Sequence, residues 1–196
     1  MVRHGATLWN ASRRFQGATD VALSEQGRRQ AEAIAGRLAV EGVECVYSSD
    51  LSRALDTARA VARAHGLEVV ADARLREFSF GAWEGLTWDE IVATDERLRD
   101  AAPTAAKHYT PAGGETFAGV TERVGAFFEA VRIGPHRRVV AVTHAGPLHA
   151  ALAALKLDGE ALGVSFSPGG ITRIAMTDDG ARLISLNDVR HLHTAG

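Results

Sequence analysis

The run RVVAVTH at residues 138–144 constrains this chain more than any other stretch. Its apolar residues occupy both parities of a strand, so both faces ask to be buried, which suits the middle of a parallel sheet with helices on each side. The flanking periodicity supplies those helices. After Ser24, an N-cap residue, Ala31, Ile34, Ala35 and Leu38 recur at i, i+3, i+4 and i+7 and predict a helix ending before Gly42. Val43–Ser48 reads as a short buried strand. Leu51, Leu55, Ala58 and Ala62 mark a second helix ending near Gly66, and Leu67–Val70 reads as another strand. Val120, Val124, Phe127, Phe128 and Val131 trace a third helix before the 138–144 strand, and a fourth follows around Leu148–Leu157. Ile171–Met176 and Ala181–Leu186 flank Asp178-Asp179-Gly180, a hairpin sequence that adds an antiparallel edge.

This alternation predicts an α/β protein, a three-layer α/β/α sandwich with a mostly parallel central sheet. At 196 residues, 46% of them hydrophobic, the chain reads as a single domain over 1–196. Residues 78–115 break the rhythm. They hold Trp83, Trp88, His108 and Tyr109 with Pro103, Pro111 and several glycines, and only the Thr87–Ala93 patch reads as helix. The segment is too long for a plain connection and is expected to form a lid-like insertion over a site; a loosely structured surface excursion is the alternative.

Ligands of open α/β sheets gather beyond the carboxyl ends of the strands. The first strand leaves through Arg3-His4-Gly5, the second through Ser48-Ser49-Asp50 with Arg53 one turn into its helix, and the 138–144 strand through His144. Two arginines and two histidines thus converge where helix N-termini also point. Guanidinium forks match the oxygens of a phosphoryl group and helix N–H groups add positive charge, so the set suits a phosphate dianion. A second histidine is more than binding needs. His4 is the candidate nucleophile, able to carry the phosphoryl group as a covalent intermediate. Gly5 would let the backbone bend and approach the ligand, and a protonated His144 would act as a third cation. Glu77, among apolar neighbours after the third strand, is the candidate proton donor for the leaving alcohol.

The segments VRHGATLWN, RFQGATDVALSEQGRRQA, SSDLSRALDTA, LREFSFGAWEG, PAGGETF, VTHAGP and NDVRHL stand in the order and at roughly the spacing of a known family. Across almost its whole length the chain resembles the histidine phosphatase superfamily, the phosphoglycerate mutase-like proteins. The resemblance implies that His4 is phosphorylated, that Arg3, Arg53 and His144 line the phosphate pocket, and that Glu77 donates the proton. It further implies that Asn10 contributes an amide to the phosphate and that Gln16, Gly17 and Ala145 lie at the substrate, Ala145 standing where a glycine is usual. Ala6 replaces an acidic residue, and His149 stands where arginine is common. Relatives also have several strand residues before the arginine, where only Met1 and Val2 stand here, so the first strand is either shortened or begun downstream of its natural start. The segment around Glu77–Gly85 resembles the small cofactor-independent phosphatases more than the glycolytic mutases.

Each residue also has an ordinary use. Arg53 could pair with Asp50 or Asp56, Glu77 with Arg76, and His144 could be a satisfied core histidine. His65, His108, His136, His191 and His193 read as surface or loop residues. The sequence therefore predicts a phosphatase of small-molecule phosphate esters; a phosphoglycerate mutase and a non-catalytic module that binds phosphorylated ligands are the alternatives. Arg13, Arg14, Phe15, Trp83, His108 and Tyr109 suit several substrate classes about equally.

No cofactor or metal is expected, since three cations and helix N–H groups would do what a metal does. Cys45 is the only cysteine, and His144 and His149 are spaced wrongly for zinc on one helical face. A net charge of −2 gives no general surface for nucleic acid or anionic membrane. No apolar run nears transmembrane length and no signal-peptide pattern opens the chain, so a cytoplasmic protein is expected. The C-terminal hairpin offers an edge on which a homodimer could form.

Overall fold

The computed structural model describes residues 1–98, 100–101, 109–157, 159, 163–177 and 179–193. His108 and Asp178 lie outside them. The sheet has six strands: β1 (Val2–Arg3), β2 (Cys45–Ser48), β3 (Val69–Ala71), β4 (Val139–Thr143), β5 (Ile171–Thr177) and β6 (Gly180–Asp188). Their order is β3-β2-β4-β1-β5-β6. The first four are parallel, with Cys45–Ser48 in register with Val139–Val142; β5 runs antiparallel to β1, and β6 to β5. The antiparallel edge is thus a two-stranded hairpin.

The strand period sorts side chains into two cores. Val46, Val140 and Val142 join Ile34, Ala58 and Val61 from α2 (Glu25–Leu38) and α3 (Ser52–His65). Tyr47 and Ala141, one residue out of step, meet Val124, Phe127 and Ala151 from α5 (Phe117–Ile133) and α6 (Ala145–Ala154) on the opposite face. Helix ends follow local chemistry. The Ser24 hydroxyl accepts from Gly27 N at 3.1 Å to start α2, and Gly66 at φ 65° ends α3 in the left-handed region that a glycine adopts freely. Among the described residues no helix is long and apolar enough to cross a membrane.

β1 has two residues beside the five of β4 and the seven of β5. The Met1 amine donates to Thr172 O at 2.7 Å, and burial, helped by Arg173, pushes its pKa down to about 5. A cavity of about 520 Å³ lies there, lined by Met1, Phe127, Val131, Val139, Ile174 and Met176. It sits where the strands begin, away from the polar strand ends.

The described part of the 78–115 insertion is a packed unit, not a loose excursion. A turn at Gly81–Trp83, α4 (Trp88–Thr94) and a turn at Glu96–Leu98 bury Trp83, Ile91 and Leu98 together, with Phe15, Phe80 and Tyr109 packed around them. Phe15 N donates to Leu86 O at 2.9 Å and Gly85 N to Phe15 O at 2.8 Å, which joins the insert to the loop after the short helix α1 (Leu8–Ala11).

Candidate active site

β1 delivers His4 into the sheet end with its backbone fully engaged: His4 N donates to Thr143 O at 2.9 Å, and Gly169 N donates to His4 O at 3.1 Å. The side chain is 2% exposed, and its Nδ1 lies 2.7 Å from Gly5 O. A carbonyl only accepts, so Nδ1 carries the proton and Nε2 keeps its lone pair. Gly5 also serves packing. A Cβ there would stand 2.3 Å from Gly27 O, so the missing side chain lets α2 close against the strand end. Gly5 N is held by Thr57 Oγ1 at 3.1 Å, which donates in turn to Arg53 O.

Arg53 is fully buried, and neither Asp50 nor Asp56 is its partner, since those carboxylates pair with Arg76 and Arg59. Its Nη1 donates to Thr19 O and its Nη2 to Gly17 O, both at 2.8 Å. Its Nε donates to His144 Nδ1 at 3.2 Å. That bond makes His144 Nδ1 an acceptor, so the proton sits on Nε2, a buried atom without a protein partner. Burial, His4, Arg53 and Arg3 hold His144 well below its ordinary pKa. It is therefore a neutral donor among the protein's own groups, and the third cation expected from the sequence depends on the charge of a bound anion. The His4 and His144 rings meet edge-on with centroids 5.0 Å apart.

Arg3 donates Nη1 to Phe166 O and keeps a buried Nε without a partner. Burial lowers its pKa to about 10, with Arg53 adding to the shift and Glu77 opposing it. Glu77, half-buried, accepts from Phe78 N at 2.9 Å and from Gly146 N at 3.1 Å. Burial pushes its carboxyl above the usual range, and those N–H groups together with Arg53 and Arg3 pull the other way. Burial, with Arg3 and Arg53, holds His4 well below its usual value, so the imidazole stays neutral.

Helix starts divide by position. Ser24, Thr87 and Thr116 cap α2, α4 and α5 with a side-chain oxygen. α3 and α6, which begin beside the cluster, have Leu51 and His144 at that position and no side-chain cap. Asp20 accepts from Ser52 N at 2.8 Å and Glu77 from Gly146 N. The first turn of α6, with Ala145 as its first residue, therefore offers partial positive charge at the cluster.

The outer residues are placed differently. Asn10 Oδ1 accepts from Thr7 N at 3.0 Å in a capping box, and Thr7 Oγ1 donates to Gln16 Oε1 at 3.1 Å. Asn10 and Gln16 thus brace the first loop, and Gly17 holds Arg53 through its carbonyl. His149 packs edge-on against Phe166, centroids 4.8 Å apart. Trp83 is core, at 4% exposure. His191, expected at the surface, is buried at 8% with Nε2 3.1 Å from Gly169 O.

Sequence reasoning missed three residues that organise the site. Thr57 ties Gly5 to Arg53. Arg123 donates to the carbonyls of Arg74, Arg76 and Glu77 and pairs with Glu115, and so holds the Glu77 loop. Glu84 binds the 18–19 backbone. Arg123 and Glu84 lie in helix and insert, where a strand-end search does not look. Among the described residues no cluster of His, Cys, Asp and Glu could hold a metal ion.

Comparison with known proteins follows this geometry. The solved structure of a mycobacterial glucosyl-3-phosphoglycerate phosphatase with vanadate is 35% identical, with a TM-score of 0.82 over 95% of this chain and 96% of that one. A phosphoserine phosphatase from Entamoeba histolytica with 3-phosphoglyceric acid is 26% identical, with a TM-score of 0.79 over 97% and 96%. A probable phosphoglycerate mutase of Yersinia pestis is 46% identical over 99 residues, 50% of this chain and 46% of that protein. This chain therefore spans about half the length of the curated relatives it matches. The family model of branch 1 matches residues 1–189. The chain belongs to the histidine phosphatase superfamily (branch 1).

Proposed function

We propose that this protein hydrolyses small-molecule phosphomonoesters through a phosphohistidine formed on His4. The observation that carries this reading is the state of the His4 ring, neutral, with Nδ1–H fixed on Gly5 O and the Nε2 lone pair left for phosphorus. Nε2 attacks, the P–O bond to the leaving alcohol breaks, and Glu77 gives that oxygen its proton. The Glu77 carboxylate then takes a proton from water, whose oxygen displaces His4 and releases inorganic phosphate. Arg3, Arg53, the His144 Nε2–H and the first turn of α6 stabilise charge on the transferring group. Added chelator leaves the rate unchanged on this reading.

Two phosphatases matched over nearly their whole length support hydrolysis. The half-length match to a probable mutase supports a second reading, transfer to an acceptor hydroxyl. A panel of phosphomonoesters decides between them. Inorganic phosphate as product supports hydrolysis, and a phosphorylated acceptor supports transfer. His4→Ala abolishes phosphate release; its retention on every substrate the wild type accepts overturns the proposal. The 13–22 loop and the insert are the surfaces expected to choose the ester.

A further inference from the structure

Glu84 lies in the insert, outside the cluster around His4, yet its carboxylate gathers four hydrogens. Oε1 accepts from Ala18 N at 2.9 Å and Phe80 N at 3.0 Å. Oε2 accepts from Thr19 N at 2.9 Å and from the Thr19 hydroxyl at 2.5 Å. Three of these four donors belong to the first loop. The approach is close enough to dictate sequence: Gly17 stands at φ 56°, and a Cβ there would fall 2.2 Å from Glu84 Oε1. The carbonyls of the same loop, Gly17 O and Thr19 O, take the two Nη donors of Arg53, whose Nε then fixes Nδ1 of His144.

We propose that Glu84 is a positioning residue for the reaction. It fixes the 17–19 backbone, through it the Arg53 guanidinium, and through Arg53 the tautomer of His144. The inference rests on the phosphatase reading above and extends it to the insert. Two features separate Glu84 from an ordinary loop staple. The exposed Arg14–Glu90 pair also joins insert to loop, yet among the described contacts neither partner bonds to Arg53 or His144. Glu84 also favours the charged form of Arg53 through its own charge, together with Glu77 and Asp20, against the cost of burial. An amide at 84 would turn a donor towards Thr19 N–H, so that bond would be lost and the Thr19 hydroxyl would have to turn from donor to acceptor.

The test uses Glu84→Gln and Thr19→Val in the full chain, with inorganic phosphate as the probe ligand and ring ¹⁵N signals of His144 as the structural readout. Glu84→Gln is expected to weaken phosphate binding and lower kcat/KM about tenfold, the loss expected for hydrogen bonds to a charged group. In an Arg53→Ala background it has no further effect, because its route runs through Arg53. His144 loses its single Nε2–H tautomer. Thr19→Val shows the same signature at about threefold, and carries the test alone should Glu84→Gln fail to fold. Wild-type phosphate affinity with unshifted His144 signals, or a loss that adds in full to that of Arg53→Ala, overturns the inference. A wild type that neither binds phosphate nor releases it from any ester sinks the phosphatase reading instead, and the His144 signals still report on Glu84.

Discussion

Around His4 the fixed parts are charges and hydrogen bonds. Arg53 uses three donors, His4 and His144 each have one ring nitrogen committed, and Glu77 holds two N–H groups. Around Trp83 the fixed parts are rings, with Phe15 set edge-on to Phe80 at 5.0 Å and to Trp83 at 6.2 Å. Buried polar groups demand specific partners at specific angles, so the first region can hold a transition state in one geometry. Aromatic packing tolerates change of shape more readily, which suits a surface that selects among substrates. On the proposed reading the first region carries the chemistry and the second the choice of substrate, and Glu84 links the two through the 17–19 backbone.

The sharpest way to break that separation is at Glu77. Glu77→Gln is expected to slow hydrolysis of alkyl phosphates by about 10²–10⁴-fold, the usual worth of a general acid. An aryl phosphate with a good leaving group needs that acid less, so a burst of phenol release survives while turnover stays slow. In the wild type, kcat falls as pH rises through the raised pKa of Glu77. The acid limb lies below pH 6.5, because His4 is held well below that value. A variant equally slow in burst and turnover would place the damage elsewhere.

Trp83→Ala tests the other region. Emptying an aromatic core position costs about 3–5 kcal/mol. Hydrogen exchange should rise across residues 80–98 while β2 and β4 keep their protection, and KM should move more than kcat. Loss of kcat for a small ester at unchanged KM would mean that the insert serves the chemistry directly.

The smallest effect is on stability. His4 and His144 stay neutral in the folded chain and titrate near 6.5 once unfolded, so their contribution is present above pH 6.5 and lost as pH falls below it. Each can remove up to about 1.4 kcal/mol per pH unit in that window. Glu77 works in the opposite sense, its raised pKa favouring the fold on the acid side of its transition. Urea midpoints of the wild type should therefore fall as pH drops below about 6.5, and fall less steeply in His4→Ala, which lacks one of the two histidines. A His4→Ala curve parallel to that of the wild type would show that His4 takes up its proton in the folded state as it does in the unfolded one.

The strand ends were legible because burial on two faces writes itself as VVAV, and the first polar residue after such a run must lie at the sheet edge. Arg3, His4 and His144 stand out as the polar exits of strands, Arg53 as a cation one turn into the helix after the second strand and Glu77 as a carboxyl among apolar neighbours, and the structure brings the five together. The charge of His144 was not legible, since it depends on which neighbour occupies Nδ1, and Arg53 lies 91 residues away in sequence. The packing role of Gly5 was hidden for a similar reason: the atom it makes room for, Gly27 O, belongs to a different element. The insert hid its order because its core draws Phe15 from outside the segment, so no periodicity within 78–115 reveals it.

The central claim is covalent chemistry at His4. The most direct measurement is rapid acid-free quenching of the enzyme with a phosphate-labelled ester, followed by peptide mapping. The account predicts acid-labile label on the peptide containing His4, formed before inorganic phosphate appears and absent from His4→Ala. Label on another residue, or phosphate released at full rate with none ever bound to the protein, would contradict it.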